Sequence, residues 1–237
     1  MRKFAALLWL AVPAAALAQD PPPPRTLAVD ATAEVERQPD QATLSLAVET
    51  EGESAAMAAN RNAERMEAVV VAIRGAGIPR DRIRTLGYQL HPVYARTTQQ
   101  QPEPRITGYR AVNTVQVEID SIPRVGALID ASIGAGANRV TGLAFGLRDF
   151  EGARRDALRQ AVEMARAEAE LIAQAAGERL GPPLSIHSGG YMRPPPQPMP
   201  MYDRAAAVEA MPAPTPVEGG TLTVTATVSI VYRLEPQ

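Results

Sequence analysis

Between Ile106 and Leu147 apolar and polar positions alternate, shift to a helical spacing, and alternate again. Tyr109, Ala111, Val115, Val117 and Ile119 fall on one face of an extended segment, with Arg110, Thr114, Gln116 and Glu118 on the other. That period of two is the pattern of a half-buried strand. Pro123 stands where proline opens a helix. Val125, Leu128, Ile129 and Ser132 then share one helical face, and Gly134 and Gly136 end it. Leu143, Phe145 and Leu147 resume the alternation.

The same reading places the other elements. Leu27, Val29, Ala31, Ala33 and Val35 alternate with polar residues, as do Ala42, Leu44, Leu46 and Val48 after a Gln38-Pro39-Asp40 turn. Two such runs across a short turn predict an antiparallel hairpin, with Glu34, Glu36, Glu49 and Glu51 on its outer face. Ser54 caps a helix whose expected apolar stripe is Ala56, Ala59, Ala63, Met66, Val70 and Ile73, with Asn62 outside it. Gly75-Ala76-Gly77 stops that helix, and Ile83, Leu86, Tyr88, Leu90 and Tyr94 form a less regular strand. Asp149 caps a long helix near Glu151 to Ala176, about 39 Å in length. Its expected stripe is Leu158, Ala161, Val162, Ala165, Ala169, Ile172 and Ala176, with Arg159–Glu163 and Arg166–Glu170 as i,i+4 pairs. Leu184 and Ile186 mark a short strand. Leu222, Val224, Ala226, Val228, Ile230 and Tyr232 mark a final one, expected beside the first hairpin. The sum is an α+β fold of about seven mostly antiparallel strands with three helices, in one domain or two closely joined lobes.

Residues 108–120, reading GYRAVNTVQVEID, precede a short helix, then GANRVTGLAFGL at 136–147 and the long Ala/Arg/Glu helix. This combination resembles the SIMPL-domain family, over about Arg25 to Arg233. The family comprises exported bacterial proteins, including a periplasmic immunogenic protein and one linked to oxidative-stress defence. The resemblance implies a SIMPL-like fold, no established catalytic residues, and relatives that build large ring- or channel-like oligomers.

The ends of the chain agree with export. Arg2 and Lys3, the apolar run from Phe4 to Val12 and Ala16-Leu17-Ala18 form a signal peptide over residues 1–18, cleaved near Ala18. That apolar run is shorter than the roughly 20 residues a bilayer needs, and no transmembrane segment is expected in the mature chain. Residues 19–25 are a Pro-rich spacer, and residues 26–237 are the SIMPL-like domain. The expected location is the periplasm. With no cysteine, the exported chain has no disulfide and depends on its core. Aromatics are only 4% of residues, so that core is built from Ala, Val, Leu and Ile. Removing the signal takes two cations and no acid, moving the net charge from −2 to −4, which disfavours nucleic acid as a partner.

Candidate chemistry is sparse. Gly75-Ala76-Gly77 and Gly134-Ala135-Gly136 follow helices, whereas phosphate-cradling glycines precede them. His91 and His187 have no cysteine partner and no HExxH spacing, and no GxSxG nucleophile occurs. The four glutamates are ordinary solvent-facing carboxylates. No catalytic, cofactor-binding or metal-ligating residues are assigned. A Pro/Met-rich loop spans 193–219, with Met192, Met199, Met201 and Met211 in or beside it. Thioethers suit Cu(I), but their spacing here is irregular. The leading expectation is a non-enzymatic periplasmic homo-oligomer serving envelope or oxidative-stress defence, with an envelope protein as a further partner. The alternative is a binding module that uses loop 193–217 to capture a partner protein or Cu(I), in which case deleting that loop leaves thermal stability nearly unchanged.

Overall fold

The computed structural model describes residues 24–95, 104–189 and 215–236. The expected signal peptide, most of the Pro-rich spacer and most of the Pro/Met-rich loop lie outside them. Seven strands and three helices form two sheets, each covered by helix. The strands are β1 (Thr26–Arg37), β2 (Gln41–Gly52), β3 (Ile83–Tyr94), β4 (Ile106–Ile119), β5 (Arg139–Gly146), β6 (Glu178–Ser188) and β7 (Leu222–Pro236). The helices are α1 (Ala55–Gly75), α2 (Val125–Gly134) and α3 (Phe150–Ala175). Short 3-10 turns at Arg80–Arg82 and Ile122–Arg124 precede β3 and α2. Every strand pairing is antiparallel, in the orders β1-β7-β6 and β3-β4-β2-β5, so the expected α+β architecture is what the chain forms.

The predicted first hairpin does not form. β1 pairs with β7 from Thr26↔Arg233 to Arg37↔Leu222, while β2 pairs with β4 and β5 in the other sheet. The Gln38-Pro39-Asp40 link carries the chain from one sheet to the next. The Asp40 N–H donates to the Gly146 carbonyl at 3.2 Å, and the Asp40 carboxylate accepts from the Arg148 N–H at 2.7 Å. These bonds hold the outgoing link against the returning β5–α3 link. The last strand, expected beside the first hairpin, pairs with β1 alone of that hairpin's two strands. β2 through β5, with α1 and α2, are thus an insertion between β1 and α3.

In the inserted layer, β4 presents Ala111, Val115, Val117 and Ile119 to the core, and α2 buries Val125, Leu128, Ile129 and Ser132, as the periodicity predicts. They meet Leu44, Leu46, Val48, Met66, Val69 and Ile73. The two glycine tripeptides close α1 and α2 in the same way. Gly77 and Gly136 have φ of +87° and +119°. The N–H groups of Ile78 and Ala137 reach back to the carbonyls of Ile73 and Ser132 at 3.3 and 3.0 Å. These are Schellman ends, each with a buried apolar residue after its glycine.

The stripes of the two longer helices differ from expectation. α1 buries Ala58, Asn62, Met66, Val69 and Ile73, leaving Ala56 and Ala63 exposed. Alanine occurs all round α1, so apolar spacing alone does not fix its rotation. α3 buries Ala153, Ala157, Ala161, Ala165, Ala169 and Ala173, at every fourth position. A four-residue repeat makes an inclined ridge on a helix. It lies against Val29, Ala31, Ala33, Val228, Ile230 and Tyr232. With a methyl group at each contact the helix seats close to the sheet. The larger Leu158, Val162 and Ile172 are displaced from the seam. Arg166 pairs with Glu170 as expected, at 2.9 Å, but Arg159 turns to Asp156 at 3.5 Å.

Close packing at the seam leaves no room for added bulk. Ala165→Leu is expected to lower stability by about 1–3 kcal/mol, whereas Val162→Leu, off the seam, changes it by less than about 0.5 kcal/mol. Urea unfolding of both variants checks this.

Candidate functional site

The face of the inserted sheet away from α1 carries its charges. Glu51 lies opposite Arg110 on β4, and Ala47 opposite Arg139 on β5. Arg110 reaches Glu49 at 3.0 Å and Glu51 at 2.6 Å, and Arg139 reaches Glu49 at 2.7 Å. The hydrogen bond to Glu51, then the charge of Glu49, raise the Arg110 guanidinium further above its ordinary value. Asn138 closes this corner of the sheet: it accepts from the Glu49 N–H at 2.8 Å and donates to the Glu49 carbonyl at 2.7 Å. Glu34 and Glu36 stand exposed on β1, in the other sheet. The four glutamates that the sequence placed on one hairpin face are therefore divided, and two are neutralised by arginine. They do not form an acid–base pair.

Shallow clefts among the described residues include two beside the sheets. One, of ≈ 270 Å³, is bordered by Glu51, Glu53, Met57, Arg61 and Tyr109. Its floor is glycine backbone. A Cβ on Gly52 would meet the Ala58 nitrogen at 2.6 Å, and one on Gly108 would meet the Gly52 carbonyl at 3.0 Å. The other, of ≈ 450 Å³, lies by the β1–β2 and β5–α3 links. Its charges are satisfied among themselves: Arg37–Asp156 at 3.0 Å, Arg148–Asp40 at 3.8 Å and Arg155–Asp149 at 4.0 Å. In the first cleft Glu51 is paired to Arg110 at 2.6 Å, and the Thr107 hydroxyl donates to the Val93 carbonyl at 3.1 Å.

His91 and His187 are exposed on β3 and β6, in different sheets. Among the described residues no group of three or more His, Cys, Asp or Glu side chains is placed to hold a metal ion. Met192, Met199, Met201 and Met211 lie outside those residues.

Three features escaped the sequence reading. Asn62 is fully buried between α1 and the sheet, where its amide donates to the carbonyls of Val48 at 2.7 Å and Ala111 at 3.1 Å. Its place four residues from Ala58 and from Met66 is the signal that marks it as part of the stripe. Asp130 on α2 accepts from the Thr215 N–H at 3.0 Å and from the Thr215 hydroxyl at 2.6 Å. These bonds, the hydroxyl first, hold its carboxyl below the ordinary carboxylate value. A depressed carboxyl favours the folded form above its unfolded-state value. That contribution is lost as the pH falls through the lowered one. Nothing in the composition of the loop announces this contact.

The third feature is uncovered apolar surface. Met164 and Leu171 on α3 are 52% and 67% exposed, and Leu86, Tyr88, Leu90 and Tyr94 on edge strand β3 are 40–53% exposed. The sequence placed the β3 residues on a strand but did not show that they face outward.

A family model for SIMPL, described as a protein of unknown function (DUF541), matches residues 27–232, from β1 into β7. The chain belongs to the SIMPL family. It is 28% identical over 217 residues to the 26 kDa periplasmic immunogenic protein of Brucella melitensis, covering 90% of this chain and 86% of that protein. It is 29% identical over 208 residues to the uncharacterized protein YggE of Edwardsiella ictaluri, covering 86% and 84%. To YggE of Escherichia coli K12 it is 27% identical over 226 residues, covering 94% and 88%. No helix among the described residues is long and apolar enough to cross a membrane.

Removing the Asn62 amide strands two strand carbonyls beneath α1. Asn62→Ala is expected to cost about 2–3 kcal/mol, while Asn60→Ala, exposed on the same helix, changes stability by less than about 0.5 kcal/mol. Chemical denaturation of the two variants is the check.

Proposed function

We propose that this SIMPL protein is a non-enzymatic periplasmic component that assembles with copies of itself and serves envelope or oxidative-stress defence. The observation that carries the assembly is the uncovered apolar surface on α3 and β3. α3 spends alanines on its own sheet and turns Met164 and Leu171 to solvent. Met164 and Leu171 are seven residues apart and so share one face of the helix, and apolar surface gathered on one face marks an interaction surface. Among the described residues β3 is also a sheet edge without a second strand partner, bearing Leu86, Tyr88 and Leu90, the kind of edge that proteins cover or blunt.

The periplasmic location is supported by the signal-like residues 1–18 and by the relative described as a periplasmic immunogenic protein. The defence role rests on the family resemblance. The non-enzymatic reading is supported by Glu49 and Glu51 being paired to arginine while Glu34 and Glu36 stand in the other sheet.

Light scattering in line with size exclusion, on the chain beginning at Gln19, tests the assembly. A discrete oligomer is expected, reduced toward a single chain by Leu171→Glu or Leu90→Glu. A single-chain mass for the unmodified protein at every concentration would sink the proposal.

A further inference from the structure

β6 and β7 are antiparallel neighbours in one sheet, with Ser188 opposite Val228. A local turn would join them. Instead, the chain that enters β7 comes from the other layer. Thr215 is fastened to Asp130 on α2 through both its N–H and its hydroxyl, at 3.0 and 2.6 Å. Its carbonyl lies over Gly126, so close that a Cβ there would meet the oxygen at 2.0 Å. Two residues on, Val217 packs against the core of the inserted layer. Gly219 then passes Ile122, Phe145 and Pro39, where a Cβ would come within 2.7 Å of the proline ring. Only after this does the chain cross to Leu222 and pair with β1.

We propose that residues 215–219 are a latch, which fixes the orientation of the inserted layer against the β1-β7-β6 layer by docking on α2. Among the described residues, the links at 38–40 and 147–149 join the two layers side by side and are tied to each other by Asp40 and Arg148. Two adjacent links act as a hinge. A third attachment, made at α2, opposes rotation about it. Gly126 is the position that admits the latch, because any side chain there meets backbone rather than a flexible group. Asp130 is the anchor, supplying both acceptors for Thr215. This device does not depend on the proposed function.

The chain has no cysteine, so a pair introduced by Glu67→Cys on α1 and Glu163→Cys on α3, both exposed, can be spin-labelled selectively. Pulsed electron spin resonance on labelled protein diluted with unlabelled protein reads the distance between the layers. One narrow distribution is expected, broadening at least twofold in width in Asp130→Ala and in Gly126→Val. Amide exchange at Thr215 is followed in parallel and should rise at least tenfold in both variants, while exchange in β2 and β4 stays slow. Faster Thr215 exchange with an unchanged distribution would overturn the latch. Unchanged Thr215 exchange would overturn its anchoring by Asp130 and Gly126. Thr215→Val, which removes the hydroxyl and keeps the backbone, covers the case in which the stronger variants do not fold. Partial broadening is expected there, and none would count against the proposal. An unprotected Thr215 amide in the unmodified protein would overturn it outright.

Discussion

The pairing of β1 with β7 is the constraint on which the rest of the structure depends. It joins residues from the two ends of the domain, running without interruption from Thr26↔Arg233 to Arg37↔Leu222. Everything else is threaded between these strands. Among the described residues β1 is an edge strand whose one strand partner is β7. Without that partner Val29, Ala31 and Ala33 would lose the surface that α3 covers. Such a contact is slow to find, because the loop it closes spans nearly the whole chain. Once made, it seats α3 along its full length and sets the platform from which the inserted layer hangs.

The alanine seam follows from that platform and has a second consequence. Six alanines at a four-residue repeat let α3 approach the sheet closely, but they bury little apolar area per residue. Larger apolar side chains on this helix have no room inside and remain outside. The surface that looks poorly covered in one chain is thus the reverse side of how the helix packs. The inserted layer works by other means. Its core is filled by Leu, Val and Ile, Asn62 bridges α1 to two strands inside it, and its outer face is held by the Arg110–Glu49–Arg139 ion pairs.

Much of the fold was legible because alternation is strong where one sheet face is buried. β4, α2 and β7 read directly from their spacing, as did the glycine ends of α1 and α2. What failed has two physical causes, one in the pairing of strands and one in the rotation of the long helices. Local pattern tells which face of an element is apolar, not which distant element lies beside it. The Gln38-Pro39-Asp40 turn looks the same whether the next strand folds back or crosses to another sheet. The rotation of α1 was obscured by alanine on every side and by an asparagine in the core. On α3 the bulky residues drew the stripe away from alanines that contact the sheet. No single site emerged from the sequence, and the structure places its candidate residues apart rather than together. The docking of Thr215 on Asp130 joins positions remote in sequence, with no local signature.

The most direct test of this account is native-state hydrogen exchange on the intact mature chain, followed through low concentrations of denaturant. The interstrand amides of β1 and β7 and those of the α3 seam should converge on one opening transition. They would form a single cooperative unit built from both ends of the chain. If β1 exchanged at the rate of a frayed terminus while β7 and α3 stayed protected, the closing role assigned to the β1–β7 pairing would be contradicted.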